Sequence, residues 1–214
     1  MDRKIINKRI CEIRGDAERL IRTLCALEHT DHARYPEKYE SISTDAALLG
    51  EIITCRLRRL IYVATGVKKA DYLVSAGAVQ GIEVRCDNNV LEIDLPCLLP
   101  KRRQKRSVEF LVDPLYFTLE SYLQNNSLPS FDHCVVCFIH IYDKKLSSGR
   151  VRDYDNLEMK QILDVVNAFV MTDDTGLLCD TYNTTELGER DLTRILVMEE
   201  ECFERWLKGR KNSL

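Results

Sequence analysis

A chain of 214 residues, 45% hydrophobic and 30% charged, has the composition of a globular protein and not of a disordered one. No apolar run approaches the ~18 residues of a membrane span, and the charged N-terminus lacks a signal-peptide core, so we expect no membrane association and a cytoplasmic location. The formal net charge of -3 gives no global attraction to nucleic acid, so any such contact requires a local basic patch.

Two helices are predicted at the N-terminal end. Apolar residues over 3–28 are spaced alternately four and three apart, which predicts one long helix with a coiled-coil-like seam. The polar segment that follows contains Pro36 and is predicted to be a loop. A second helix is predicted from Asp45 to about Thr65. Residues 1–70 are therefore interpreted as a helical hairpin that packs against the rest of the chain or pairs with another subunit.

The periodicity changes from helical to two-residue after Gly81. Alternating apolar residues around Asp87, Asn88 and Asn89 predict a β-hairpin with a polar turn. The second strand runs into the densest positive segment of the chain, formed by Lys101, Arg102, Arg103, Lys105 and Arg106. Backbone phosphates are the natural partner of such a segment, and a solvated loop is the alternative.

A central strand is predicted in the second half of the chain. Residues 133–142 are apolar at almost every position, so both faces of this strand should be covered. Cys134 and Cys137 lie three apart on it, so we expect buried free thiols on opposite faces. Before it, Asp113 and Pro114 are predicted to cap and begin a helix.

The remaining elements complete an α+β prediction. Residues 177–182 and 192–198 are predicted to form a final strand pair, followed by a short helix with Phe203 and Trp206. Residues 71–214 are thus interpreted as one α+β domain, in which helices pack on a mixed β-sheet behind the N-terminal hairpin.

Acidic residues mark the two ends of the predicted helix that runs toward Val170. Asp153 and Asp155 precede it, and the adjacent pair Asp173 and Asp174 follows it. If the next strand folds back beside the start of the helix, these carboxylates converge, and carboxylate oxygens are the ligands that Mg²⁺ prefers. Each pair also has an ordinary explanation, as a helix N-cap or as a turn.

This segment resembles the RusA-type Holliday junction resolvases. Their pattern of D-x-D-N, a lysine, an Asp one turn later and an Asp pair is matched by Asp153, Asp155, Asn156, Lys160, Asp164, Asn167, Asp173 and Asp174. One departure concerns the lysine, because Met159 stands at its usual position and Lys160 is one residue further on. The insertion rotates the carboxylates by about 100° unless a bulge in the first turn absorbs it.

The resemblance implies an Mg²⁺-dependent (or Mn²⁺-dependent) endonuclease that acts on branched DNA as a homodimer. Asp153, Asp155, Asp174 and Lys160 would then be catalytic, and Asp153, Asp155, Asp174 and Asp173 would bind the metal ion. The nucleic-acid-binding residues would be Lys101, Arg102, Arg103, Lys105, Arg106, Arg150 and Arg152. The alternative is a non-catalytic nucleic-acid-binding or interaction protein on a decayed resolvase fold.

Overall fold

A computed structural model describes residues 3–101 and 109–211 of the chain. The fold is α+β, as predicted, and it consists of two compact units, Met1–Asp71 and Tyr72–Leu214. No helix in these described ranges is both long enough and apolar enough to cross a lipid bilayer.

The first unit is a helical hairpin of α1 (Arg3–Glu28) and α2 (Pro36–Ala64), which lie against each other. The bounds of α1 agree with the prediction, because its apolar seam is long and regular. A polar contact also joins the two helices: Asp16 is buried on α1, and its carboxylate accepts a hydrogen bond of 2.6 Å from Arg56 of α2.

The predicted start of α2 at Asp45 is wrong, because the helix begins at Pro36. Proline lacks an N–H, but the first helical turn leaves its N–H groups unpaired in any case, and the fixed φ of proline suits that position. The backbone N–H of Tyr39 already donates to the carbonyl of Tyr35 at 3.0 Å. The early turns of α2 are polar, so the apolar periodicity does not reveal them.

A further helix, α3 (Lys69–Gln80), lies in a stretch where the sequence pattern predicts none. It ends in a Schellman motif, because Gly81 takes φ 85° and donates to the carbonyl of Ala78 at 3.1 Å. The N–H of Ile82 donates to the carbonyl of Gly77 at 2.9 Å and completes the motif. The small residues of α3 form no clear apolar stripe, which explains why the pattern does not reveal it.

The second unit is built on a mixed sheet. The strands found among the described residues are β1 (Glu83–Asp87), β2 (Val90–Leu95), β3 (Cys134–Asp143), β4 (Cys179–Gly188) and β5 (Leu192–Met198). Their order is β1-β2-β5-β3-β4, in which β3 and β4 are parallel and the other neighbours are antiparallel. The predicted β-hairpin is confirmed, with Asn88 and Asn89 at φ 50° and 60° as in a type I′ turn. The predicted pairing of the last two strands is wrong, because β3 separates β4 from β5.

Helices cover both faces of the sheet. Buried residues of α4 (Glu109–Asn125) and α5 (Lys160–Val170) share one apolar core with β2, β3 and β5. On the other face, Phe203 and Trp206 of α6 (Glu200–Lys211) pack against a second core. The strand β3 is therefore central and covered on both sides, as predicted.

The two cysteines of β3 confirm this arrangement. Cys134 belongs to the core under α4 and α5, whereas Cys137 belongs to the core under α6. Both are free thiols, and burial raises the pKa of each to about 12. The thiols therefore stay protonated at neutral pH.

The prediction that Asp113 and Pro114 begin a helix is wrong, because Pro114 lies inside α4. Proline has no N–H, so the carbonyl of Phe110, four residues earlier, loses its helical partner. The side chain of Gln80 compensates, since its Nε2 donates to this carbonyl at 3.3 Å. A contact between α3 and α4 thus allows proline within the helix.

Candidate functional site

The segment that carries Asp153 and Asp155 forms a 3₁₀ turn over Tyr154–Asn156. Asp153 before it and Leu157 after it have extended backbones, and two hydrogen bonds of 3.1 Å close the turn, from Asn156 to Asp153 and from Leu157 to Tyr154. The Asp153 side chain makes no capping hydrogen bond. Both Asp153 and Asp155 are exposed to solvent.

A short non-helical segment, residues 157–159, separates this turn from α5. Leu157 forms a β-bridge with Lys101, and the N–H of Glu158 donates to the carbonyl of Pro100 at 2.9 Å. The helix begins only at Lys160, with Met159 at the N-cap position. The geometry between Asp155 and Lys160 is therefore irregular, because residues 157–159 are not helical, and it is not a bulge within a helix.

Tyr154 fastens the turn to the sheet. Its hydroxyl shares a hydrogen bond of 3.1 Å with Oγ1 of Thr185 on β4. Its ring stacks on the imidazole of His140 on β3, with ring centroids 5.5 Å apart and an interplanar angle of 28°. His140 is fully buried, and burial lowers its pKa while an interaction with Asn183 partly offsets that effect. The residue between the two aspartates thus points inward.

An open cleft of about 630 Å³ is lined by the two aspartates and by Tyr154 between them. Its lining residues are Val151, Arg152, Asp153, Tyr154, Asp155 and Thr185. Arg152, Asp153 and Asp155 therefore line one opening beside Thr185 of β4, and both aspartates are exposed to solvent.

Lys160 belongs to a second cluster. Its Nζ lies 3.0 Å from Oδ1 of Asp164, one turn along α5, and 3.8 Å from Oδ2 of Asp174. The hydrogen bond and the charge of Asp164, followed by the charge of Asp174, raise the pKa of Lys160. Lys160 is exposed, so both ion pairs are screened by solvent. The structure thus brings the predicted lysine close to Asp174, one member of the predicted Asp pair.

Asp173 and Asp174 lie in the loop between α5 and β4. Oδ1 of Asp173 accepts a hydrogen bond of 2.8 Å from the N–H of Asp174, as in an ordinary polar turn. Just before it, the hydroxyl of Thr172 donates to Asp132 at 2.7 Å, which ties the loop to the segment that leads into β3. Asp173 is exposed, whereas Asp174 is half-buried.

The predicted basic residues occupy different environments. Arg152 lines the cleft, and its Nη1 donates to the carbonyl of Leu99 at 3.3 Å. Arg150 forms an ion pair with Asp191 and lies over the ring of Tyr142. Lys101 is exposed and forms a β-bridge with Leu157. The other predicted basic residues, Arg102, Arg103, Lys105 and Arg106, lie outside the described residues.

The predicted metal ligands thus fall into two groups. Asp153 and Asp155 line the cleft, whereas Asp174 contacts Lys160 and Asp173 contacts the backbone of its own turn. Within residues 3–101 and 109–211, no three His, Cys, Asp or Glu side chains are grouped closely enough to hold a metal ion.

Comparison with known proteins places the chain in a family. A model described as a family of unknown function (DUF6100) matches residues 2–214. The chain belongs to the DUF6100 family. No curated protein matches it.

The sequence patterns of this DUF6100 chain do not single out the three residues that support the turn of Asp153 and Asp155, called the acidic turn below. Tyr154 is the unspecified residue of the D-x-D-N pattern, and His140 and Thr185 lie in strands. His140 could have been noticed in the sequence, since it is a polar residue in an apolar strand and a buried polar group requires a partner. Thr185 could not have been noticed in this way, because threonine is common in strands.

Proposed function

We propose that the chain is an Mg²⁺-dependent endonuclease that acts on branched DNA. One observation carries the proposal: two exposed aspartates, separated by one anchored tyrosine, line an open cleft together with an arginine. The resemblance of the Arg152–Asp174 segment to RusA-type resolvases supports the choice of substrate, because a resolvase cuts four-way junctions. A homodimer is part of the proposal, since such a junction presents two symmetric cuts.

Asp153 and Asp155 would hold the metal ion. Mg²⁺ commonly takes one or two carboxylates and completes its shell with waters and substrate phosphates, so this pair fits without a third protein ligand. When bound, the ion would activate water and stabilise charge on the phosphate. Asp174 would join only if its contact with Lys160 opened, and Asp173 is less suited because it already accepts a backbone N–H.

The positive groups would bind the phosphates on either side of the cut. Arg152 lines the cleft. Lys101, the first residue of the basic run, forms a β-bridge with Leu157. Arg150 is less available, because Asp191 is its ion-pair partner. Lys160 would stabilise charge that develops on the scissile phosphate. Since the net charge is -3, binding should depend on these local groups and should weaken as salt concentration rises.

The decisive experiment compares Asp155→Asn with a matched control on a labelled four-way junction. With Mg²⁺ or Mn²⁺, we expect the wild type to cleave the junction and Asp155→Asn to cleave at least about a hundredfold more slowly, as when one charge-stabilising group is removed. Junction binding should be retained. Asp180→Asn removes the same charge from an exposed position on β4 and should cleave like the wild type. Full cleavage by Asp155→Asn would refute the mechanism.

A second candidate function is nucleic-acid binding without cleavage. Two observations favour it: Lys160 pairs with Asp164 and Asp174, and no three-ligand metal group occurs in the described part of the chain. This alternative predicts that the wild type binds the junction equally with and without Mg²⁺ and never cuts it. The same assay therefore separates the two functions.

A further inference from the structure

The acidic turn rests on a continuous stack of rings from the core to the cleft. Phe138 and His140 of β3 lie nearly parallel, with centroids 6.5 Å apart and an angle of 9°. Tyr154 then covers His140 at 5.5 Å. Phe138 and His140 are buried, so close packing restricts movement of the rings beneath Tyr154.

A hydrogen bond fixes the outer end of this stack. His140 is in register with Thr185 on β4, so the residue beneath Tyr154 and the residue that bonds its hydroxyl are neighbours across two parallel strands. The bond between Tyr154 and Thr185 is 3.1 Å long and lies in the part-buried wall of the cleft. Tyr154 is thus held at both its ring face and its hydroxyl.

We propose that Tyr154 is a positioning residue for the carboxylates of Asp153 and Asp155. Its two attachments hold the 3₁₀ turn in the orientation in which both flanking carboxylates line the cleft. This inference rests on the proposed function, because it assumes that the pair binds a divalent cation. The helix α5 does not set this orientation, since residues 157–159, which are not helical, separate it from the turn.

The test measures Mn²⁺ binding to the full-length protein by the electron paramagnetic resonance signal of free Mn²⁺, well below the melting temperature. Tyr154→Phe keeps the ring and removes the hydroxyl, and Thr185→Val removes the other partner. We expect each variant to weaken Mn²⁺ binding about threefold to tenfold, the scale of one hydrogen bond. The double variant should bind no more weakly than either single one, because both lose the same bond.

Two further variants separate positioning from general stability. Tyr116→Phe removes the hydroxyl of an exposed tyrosine on α4 and should bind Mn²⁺ like the wild type. Tyr154→Leu loses the ring stack as well as the hydrogen bond, so it should bind Mn²⁺ more weakly than Tyr154→Phe. Thermal melts of all variants identify any that are not folded at the temperature of the binding measurement.

The outcomes distinguish the inference from the proposed function. If the wild type does not bind Mn²⁺, the proposed metal site is wrong and the inference falls with it. If the wild type binds but Tyr154→Phe and Thr185→Val bind equally well, only the positioning role is overturned. Lower melting temperatures with unchanged Mn²⁺ affinity would show a merely structural role and would also overturn it. Weaker affinity in folded variants, without additivity, supports the inference.

Discussion

Gly77 of α3 lies against Thr118 of α4, and its replacement by alanine tests that contact. A β-carbon built at Gly77 would lie 2.4 Å from Oγ1 of Thr118 and 3.5 Å from the carbonyl oxygen of Pro114. The first distance is well inside van der Waals contact, so either Thr118 or the helix must move. The residue is buried, which leaves little space for that movement.

Two opposing effects decide the magnitude. Alanine is favoured over glycine in a helix interior by about 1 kcal/mol. Overpacking a close contact costs about 1–3 kcal/mol. The clash is the larger effect, so we expect Gly77→Ala to lower the free energy of unfolding by about 1 kcal/mol. For a chain of this size, each kcal/mol lowers the melting temperature by about 2–4 °C, which circular dichroism or calorimetry resolves.

A rescue and a control make this prediction specific. Adding Thr118→Ala removes the atom that clashes, and the Thr118 hydroxyl has no hydrogen-bond partner in the described structure, so the double variant should regain wild-type stability. Gly50→Ala in α2 meets no atom within 4 Å and should instead stabilise by about 1 kcal/mol. If Gly77→Ala and Gly50→Ala raised the melting temperature alike, the α3–α4 contact would be wrong.

Two further predictions test the core and the irregular start of α4. Iodoacetamide at pH 8.5 should alkylate the exposed Cys11 of the native protein but not Cys134 or Cys137, because burial raises the pKa of both core thiols to about 12; equal labelling rates by mass spectrometry would contradict this packing. Gln80→Met keeps side-chain length but loses the hydrogen bond to the Phe110 carbonyl, so the free energy of unfolding should fall by about 0.5–1.5 kcal/mol. An unchanged urea midpoint would show that this bond does not compensate for the proline.

The elements with strong local signals were predictable from the sequence. The turn residues Asn88 and Asn89 tolerate positive φ, which a type I′ hairpin requires, and the alternation beside them set the register. Pro36 and Pro114 were harder to interpret. Proline alone does not say whether a helix begins at it, as α2 does, or continues through it, as α4 does. The second outcome depends on Gln80, a residue of another helix.

The candidate site was predictable only in part, because tertiary contacts decide how its residues are grouped. The pattern identified Asp153, Asp155, Lys160 and Asp174 as candidates. It did not predict that Asp174 lies 3.8 Å from Lys160 while Asp153 and Asp155 line the cleft, since that grouping depends on the loop between α5 and β4. That grouping is therefore a finding of the structure.

The non-helical residues 157–159 also bear on Met159, which is an extra residue only relative to the RusA-type pattern. In a continuous helix, an insertion rotates everything on one side of it by about 100° relative to the other side. Here the turn of Asp153 and Asp155 is held by Tyr154, and the helix starts independently at Lys160. A non-helical segment does not transmit helical phase, so an extra residue at this point would not rotate the carboxylates. Within α5, Lys160 lies one turn before Asp164 and within reach of Asp174.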